Sequence, residues 1–141
     1  MALVPLVAAF LVLSVGGLVN ASYLAWQHRS GTPLVCPMNH DCRTVTESSW
    51  ASLFGVRNEV LGLLFFLGML SGMLLALAVP AWEGLLHVWF LLGAAGGVLF
   101  SLFLIGVQVW ALKDYCFYCL VSAGITVFLF LDSLLLYTGY T

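Results

Sequence analysis

Four apolar runs, each near the roughly 20 residues a helix needs to cross a bilayer, decide what this chain can become. They fall at about residues 2–26, 60–79, 85–112 and 117–137. Charged residues make up 7% of the 141 and hydrophobic residues 63%, against about 25% charged in soluble domains. A water-soluble fold could not hide that much apolar surface. The expected fold class is an all-α membrane protein, a four-transmembrane-helix bundle. Residues 1–141 read as a single integral membrane domain in a lipid bilayer. The net charge of -2 says nothing of partners, and no basic patch points to nucleic acid. The Met1-Ala2-Leu3-Val4 start lacks the basic n-region of a cleavable signal peptide, and the first run is longer than an h-region. It is expected to be a retained helix.

The connections are unequal. Residues 27–59 form one long polar loop, while 80–84 and 113–116 are short turns. Four spans put both termini on one side, with the long loop and the 113–116 turn together on the other. The chain's four cysteines lie there: Cys36 and Cys42 in the loop, Cys116 and Cys119 at the mouth of the fourth run. Both pairs are therefore expected to face one compartment. Arg29, Arg43, Arg57 and Lys113, all of the basic residues, fall on the same side, which the positive-inside rule would make cytoplasmic. Persistent disulfides argue the reverse. The cysteines set the expectation: a bacterial inner membrane with the pairs toward the periplasm or exterior, or the endoplasmic reticulum in a eukaryote. Within the loop, Gly31-Thr32-Pro33 reads as a turn and residues 46–53 as a short helix, so the loop is expected to cap the bundle. Gly68/Gly72 and Gly93/Gly97, at four-residue spacing, would let helices approach closely.

Cys116 and Cys119 have Cys-x-x-Cys spacing, as in thiol–disulfide oxidoreductases. On the first turn of a helix they can bond to each other, or open and bond elsewhere. The partial positive charge of a helix N-terminus favours the thiolate. Cys36 and Cys42 are six apart across Pro37-Met38-Asn39-His40-Asp41. A static disulfide is one reading of them, and two static disulfides one reading of all four. A zinc site using His40 fits poorly, because zinc favours Cys-x2–4-Cys knuckles. The reading adopted is an exchangeable pair that hands electrons inward by thiolate attack on a disulfide. A dithiol at the edge of an apolar bundle needs an acceptor that lives in lipid, and a quinone is one. Its carbonyls need donors. Ser48 and Asn58 are the candidates, although Ser48 equally suits capping a surface helix and Asn58 the N-cap of the second span. Gln108, His87 and Asp132 are the other polar groups at membrane depth, and Asp132 is expected to be interfacial or paired. Trp50, Trp110, Tyr115 and Tyr118 read as interface anchors, one or two of them available to wall the quinone site.

Taken in order, Cys36-x5-Cys42, Ser48-Ser49-Trp50, Phe54-Gly55, Asn58-Glu59-Val60-Leu61-Gly62 and Asp114-Tyr115-Cys116-Phe117-Tyr118-Cys119 resemble the vitamin K epoxide reductase family. The resemblance runs from the loop through the fourth span. It implies a four-helix bundle around a quinone. By that resemblance Cys119 faces the quinone and forms the transient adduct or charge-transfer contact. Cys116 pairs with Cys119 at rest and with Cys42 during relay. Cys42 and Cys36 form the shuttle, Cys36 being the more open to an outside partner. Ser48 matches the family's loop serine or threonine, and Asn58 an asparagine that contacts the quinone ring in animal members. Animal members carry a tyrosine four residues beyond the second active-site cysteine, where this chain has Ala123. That weakens the case for vitamin K epoxide as substrate. There is no lysine-rich end of the endoplasmic-reticulum type and no fused thioredoxin-like domain, so a separate thioredoxin-fold partner is implied.

The resulting expectation is a membrane thiol–disulfide oxidoreductase. Electrons would pass from a thioredoxin-fold, DsbA-like protein to Cys36/Cys42, then to Cys116/Cys119. From there they reach a quinone of ubiquinone, menaquinone or vitamin K type, driving disulfide formation. The alternative within the family is reduction of vitamin K epoxide or quinone, with the partner supplying electrons. From a different class, a small four-helix transporter would bind a cation at Asp132. A purely structural protein would keep both disulfides closed.

Overall fold

The computed structural model describes residues 3–30, 52–53, 56–112 and 117–140. Helix α1 (Leu3–Ser30) is followed by strands β1 (Ser52–Leu53) and β2 (Val56–Arg57), then α2 (Asn58–Ala78) and a 3-10 turn at Pro80–Trp82. Helix α3 (Glu83–Gly106) continues into a π-helical stretch, Val107–Leu112, and α4 (Phe117–Tyr140) closes the order. All four α-helices are long and apolar enough to cross a membrane. In hydrocarbon no water serves the backbone, so an apolar run satisfies its own N–H and C=O groups as a helix. The four-span expectation holds, with α1 running a turn further, to Ser30.

Pro80 ends α2 because it has no N–H to continue the ladder, and its fixed φ suits the start of the next turn. Val79 N–H still reaches Leu75 O at 2.8 Å, and Trp82 N–H closes on Val79 O at 3.1 Å. Glu83, in the first turn of α3, complements that helix's positive end.

Side-chain pairings fix the helix directions. Asn20 meets Ser122 and Gly16 faces Ile125, so α1 and α4 run antiparallel. Gly62 lies on Ala21 and Gly17 on Phe66, so α1 and α2 do too. Gly93 meets Met69 and Gly97 meets Phe65, which reverses α3 against α2. Helix α1 lies between α2 and α4, while α3 packs chiefly on α4 and more lightly on α2. The core joins Phe10, Phe66, Met69, Met73, Phe90, Leu129 and Leu136, with the Phe10 and Phe90 rings 4.9 Å apart. Lipid is as apolar as this interior, so close fit selects the arrangement and burial alone does not.

Glycines make that fit possible. A Cβ built on Gly72 would stand 2.7 Å from Phe90 Cε1, and one on Gly97 2.9 Å from Thr126 Cγ2. A Cβ on Gly93 would lie 3.3 Å from the Met69 methyl, whereas one on Gly68, which is exposed, would meet nothing within 4 Å. Three of the four expected small contacts are thus real and Gly68 is not one.

One expectation is corrected. Of the surface helix expected over 46–53, residues 46–51 lie outside the described residues, and Ser52 and Leu53 are a strand. They pair antiparallel as Ser52↔Arg57 and Leu53↔Val56. Only two residues separate the strands, the second a glycine, which suits a two-residue hairpin connection. A short apolar run carries no period long enough to tell helix from strand.

Candidate functional site

The C-terminal end of α1, the start of α2, the end of α3 and the start of α4 meet at one end of the bundle. Segments 31–51 and 113–116 leave and re-enter the described chain at this end. They carry Cys36, Cys42, Ser48 and Cys116, with Trp50 and Tyr115, all of which lie outside the described residues. Of the expected site residues, Cys119 and Asn58 are described. Cys119 sits half-buried in the first turn of α4. Asn58 opens α2, also half-buried, with its side-chain oxygen withdrawn from solvent.

A polar clasp brackets Cys119. Asn20 Nδ2 on α1 donates to Tyr118 O at 2.9 Å and to Ser122 Oγ at 2.6 Å. Tyr118 immediately precedes Cys119, and Ser122 lies one turn beyond it. The Tyr23 ring, a turn further along α1, packs on Tyr118 at 5.3 Å between centroids. Helix α1 thus holds the first turn of α4 on both sides of the cysteine. Asn20 is not among the expected site residues. Its signal was a lone asparagine inside an apolar run, a costly residue there unless it bonds across helices.

The approach to this turn from α3 is also irregular. Val107–Leu112 is wound as a π-helix, a rare form frequent at functional sites, and no composition announces it. Gln108 is buried within it, its Nε2 a long 3.5 Å from Leu104 O. Of the aromatics expected as anchors, Trp110 is 79% exposed and faces outward. Tyr118 is half-buried and belongs to the site. The chemistry of this end suits a quinone. Tyr23, Tyr118 and the helix faces offer apolar walls, and the Asn58 amide is a donor for a carbonyl oxygen.

Asp132 is the other group the structure relocates. It was expected at the interface or paired, but it is 6% exposed and neither carboxyl oxygen has a hydrogen-bond partner among the described residues. The inward stripe of α4, Ala123, Thr126, Leu129, Ser133 and Leu136, carries it into the packed region. It lies at the end away from Cys119. His87 on α3 is also buried, with Nε2 3.9 Å from Glu83 Oε1. A buried acid with no partner contributes no pairing energy, and replacing it with a neutral group of its own size removes a desolvation cost. Asp132→Asn is therefore expected to melt in detergent at or above the parent temperature, with redox turnover unchanged. A drop in turnover would place Asp132 in the machinery. Among the described residues no group of three or more His, Cys, Asp or Glu is arranged to hold a metal.

The model of the Vitamin K epoxide reductase family matches residues 8–134, nearly the whole chain. No curated protein matches.

Proposed function

Since this chain belongs to the vitamin K epoxide reductase family, and so is a membrane oxidoreductase, we propose that it carries electrons from protein thiols to a quinone. Residues 1–141 act as one integral membrane domain, with the cysteine end toward an oxidising compartment, the periplasm or exterior. A thioredoxin-fold protein gives up its dithiol to the Cys36–Cys42 disulfide through a mixed disulfide, leaving itself oxidised and the loop pair reduced. The loop dithiol in turn attacks the Cys116–Cys119 disulfide, Cys42 bonding transiently to Cys116. The Cys116/Cys119 dithiol then re-forms its disulfide and releases two electrons and two protons. A bound quinone, of ubiquinone, menaquinone or vitamin K type, supplies the sink for both. Asn58 and Ser48 are assigned to orient it as donors.

The observation that carries this reading is the position of Cys119. It is half-buried in the first turn of α4, at the bundle end where the segments bearing the other three cysteines connect. Ala123 lies on the buried stripe of the same helix, so the absence of a tyrosine there bears on the interior of the bundle. Epoxide turnover is accordingly expected to be slow beside quinone reduction, as an assay of both substrates would report.

The test is trapping. With Cys119 replaced by alanine, non-reducing electrophoresis and mass spectrometry should find a Cys42–Cys116 crosslink. A mixed disulfide should also appear between Cys36 and a purified thioredoxin-fold protein. If neither species accumulates while the variant is folded, the relay order is wrong.

A further inference from the structure

Cys119 stands where a helix is least able to hold itself. The first N–H groups of a helix have no partner within it, and end turns fray before the middle does. Helix α4 begins at Phe117, so Cys119 is its third residue. What steadies that turn comes from α1, through the residue before the cysteine. Tyr118 O accepts the helix N–H of Ser122 and also Asn20 Nδ2 at 2.9 Å. A carbonyl oxygen can only accept, so the Asn20 amide presents its nitrogen to it. The same nitrogen reaches Ser122 Oγ at 2.6 Å. Tyr118 O belongs to a planar peptide unit whose far side is the nitrogen and Cα of Cys119. A bond at that oxygen therefore restricts where the Cys119 Cα can stand. The Tyr23 ring, three residues further along α1, lies on the Tyr118 ring at 5.3 Å between centroids. One helix thus grips both the main chain and the side chain of Tyr118.

Adhesion between α1 and α4 does not call for this amide. Gly16 already faces Ile125, and Phe10 shares the common core with Leu129. An asparagine is costly in an apolar run, and here both its bonds go to the turn that carries a cysteine. We propose that Asn20 is a positioning residue for the redox reaction, setting through Tyr118 O where Cys119 stands against the quinone. The inference rests on the reading that Cys119 is the sulfur meeting the quinone. A misplacement of about 1 Å can cost about a hundredfold in the rate of an oriented step. Asn20 acts through Tyr118 and not on the quinone itself, so its loss slows the chemical step and leaves quinone affinity alone.

The experiment uses the full chain in detergent, with dithiothreitol as donor and a short-chain ubiquinone or menaquinone as acceptor, whichever the parent reduces faster. Asn20→Leu is expected to lower kcat at least about tenfold while KM for the quinone stays within about twofold, the signature of an interaction felt only in the transition state. Asn20→Gln keeps the amide on a longer arm and should recover most of the lost rate. Ser122→Ala leaves the bond to Tyr118 O in place, so its kcat should fall no more than about threefold. Melting temperatures are recorded alongside. A clasp that only joins helices would lower the melting temperature and leave kcat in place, which overturns the proposal. So does a raised KM with kcat intact, which would make Asn20 a quinone contact. If Asn20→Leu yields no folded protein, Ser122→Ala still decides, since a loss as large as tenfold there would remove Tyr118 O from its central place. A nitroxide label on Cys119, with Cys36, Cys42 and Cys116 replaced by alanine, needs neither quinone nor partner. Its spectrum should show a more mobile label in Asn20→Gly than in Asn20→Gln, and equal spectra overturn the proposal. Failure of the electron-transfer reading would appear separately, as absent quinone turnover in the parent with the label's mobility still set by Asn20.

Discussion

Replacing Cys119 with alanine should abolish quinone reduction by at least about a thousandfold, because in the proposed relay the step that depends on that sulfur has no substitute nucleophile. The loss should be the same whether dithiothreitol or a thioredoxin-fold protein supplies the electrons. Cys116→Ala should match it, since one sulfur cannot close a disulfide. Cys36→Ala and Cys42→Ala should behave differently. Under the proposed relay dithiothreitol is small enough to reduce Cys116/Cys119 directly, so its reaction should fall only a few-fold, roughly within the range of a perturbed but intact site. The protein-driven reaction should collapse, because in the proposed relay a folded donor depends on the loop pair to carry its electrons inward. Quinone absorbance in detergent reads both reactions. The direction of flow follows from potential. A donor near -120 mV needs a more oxidising acceptor, and each 30 mV of difference for two electrons is about 1.4 kcal/mol. If all four cysteine replacements left quinone reduction intact, no sulfur relay would operate here.

The parts of this molecule that hydropathy governs were legible from residues alone. Runs of about 20 apolar residues can satisfy their backbone in lipid only as helices, and Pro80 marked the end of α2 to within two residues. Counting spans was enough to put the connections that carry Cys36, Cys42 and Cys116 at the same end as Cys119, and the directions of the described helices agree. What hydropathy lacks is rotation about the helix axis. Gly68 and Gly72 look alike in sequence, yet one is exposed and the other holds the Phe90 ring. Asp132 was expected to be interfacial or paired from its distance to the helix end, but the turn-by-turn stripe of α4 points it inward. Asn20 was hidden for a related reason. Its importance lies in a contact across 98 residues of chain, with Tyr118, and no local pattern reports that. The end of α1 was drawn short because polarity was taken as a stop, although His28, Arg29 and Ser30 can extend a helix beyond the hydrocarbon without breaking it.

Gly17→Ala should destabilise the bundle by about 2–3 kcal/mol, the upper range for overpacking a tight interior. The mechanism is local. A Cβ on Gly17 would overlap Phe66 at Cδ1 and Cε1 and lie 2.6 Å from Cζ. Phe66 is 1% exposed and stands edge-on to Phe65 at 5.1 Å, so its ring has nowhere to swing. The helices must part instead, and without a hydrophobic force to draw them back in lipid the lost contact is not recovered. Gly68→Ala is the matched control. It meets nothing within 4 Å, and an alanine there lowers the entropy of the unfolded chain, so it should stabilise by roughly 0.4–1 kcal/mol. The two substitutions are chemically identical and opposite in sign, which thermal melting in detergent can resolve. The consequence should reach the redox end. Gly17 is one turn below Asn20 on α1, and displacing that stretch moves the amide away from Tyr118 O and Ser122 Oγ. Gly17→Ala should therefore slow turnover as well as lower the melting temperature, whereas Gly68→Ala should leave turnover alone. Equal melting temperatures for the two variants would mean that Phe66 does not fill the Gly17 notch and that α1 and α2 pack differently.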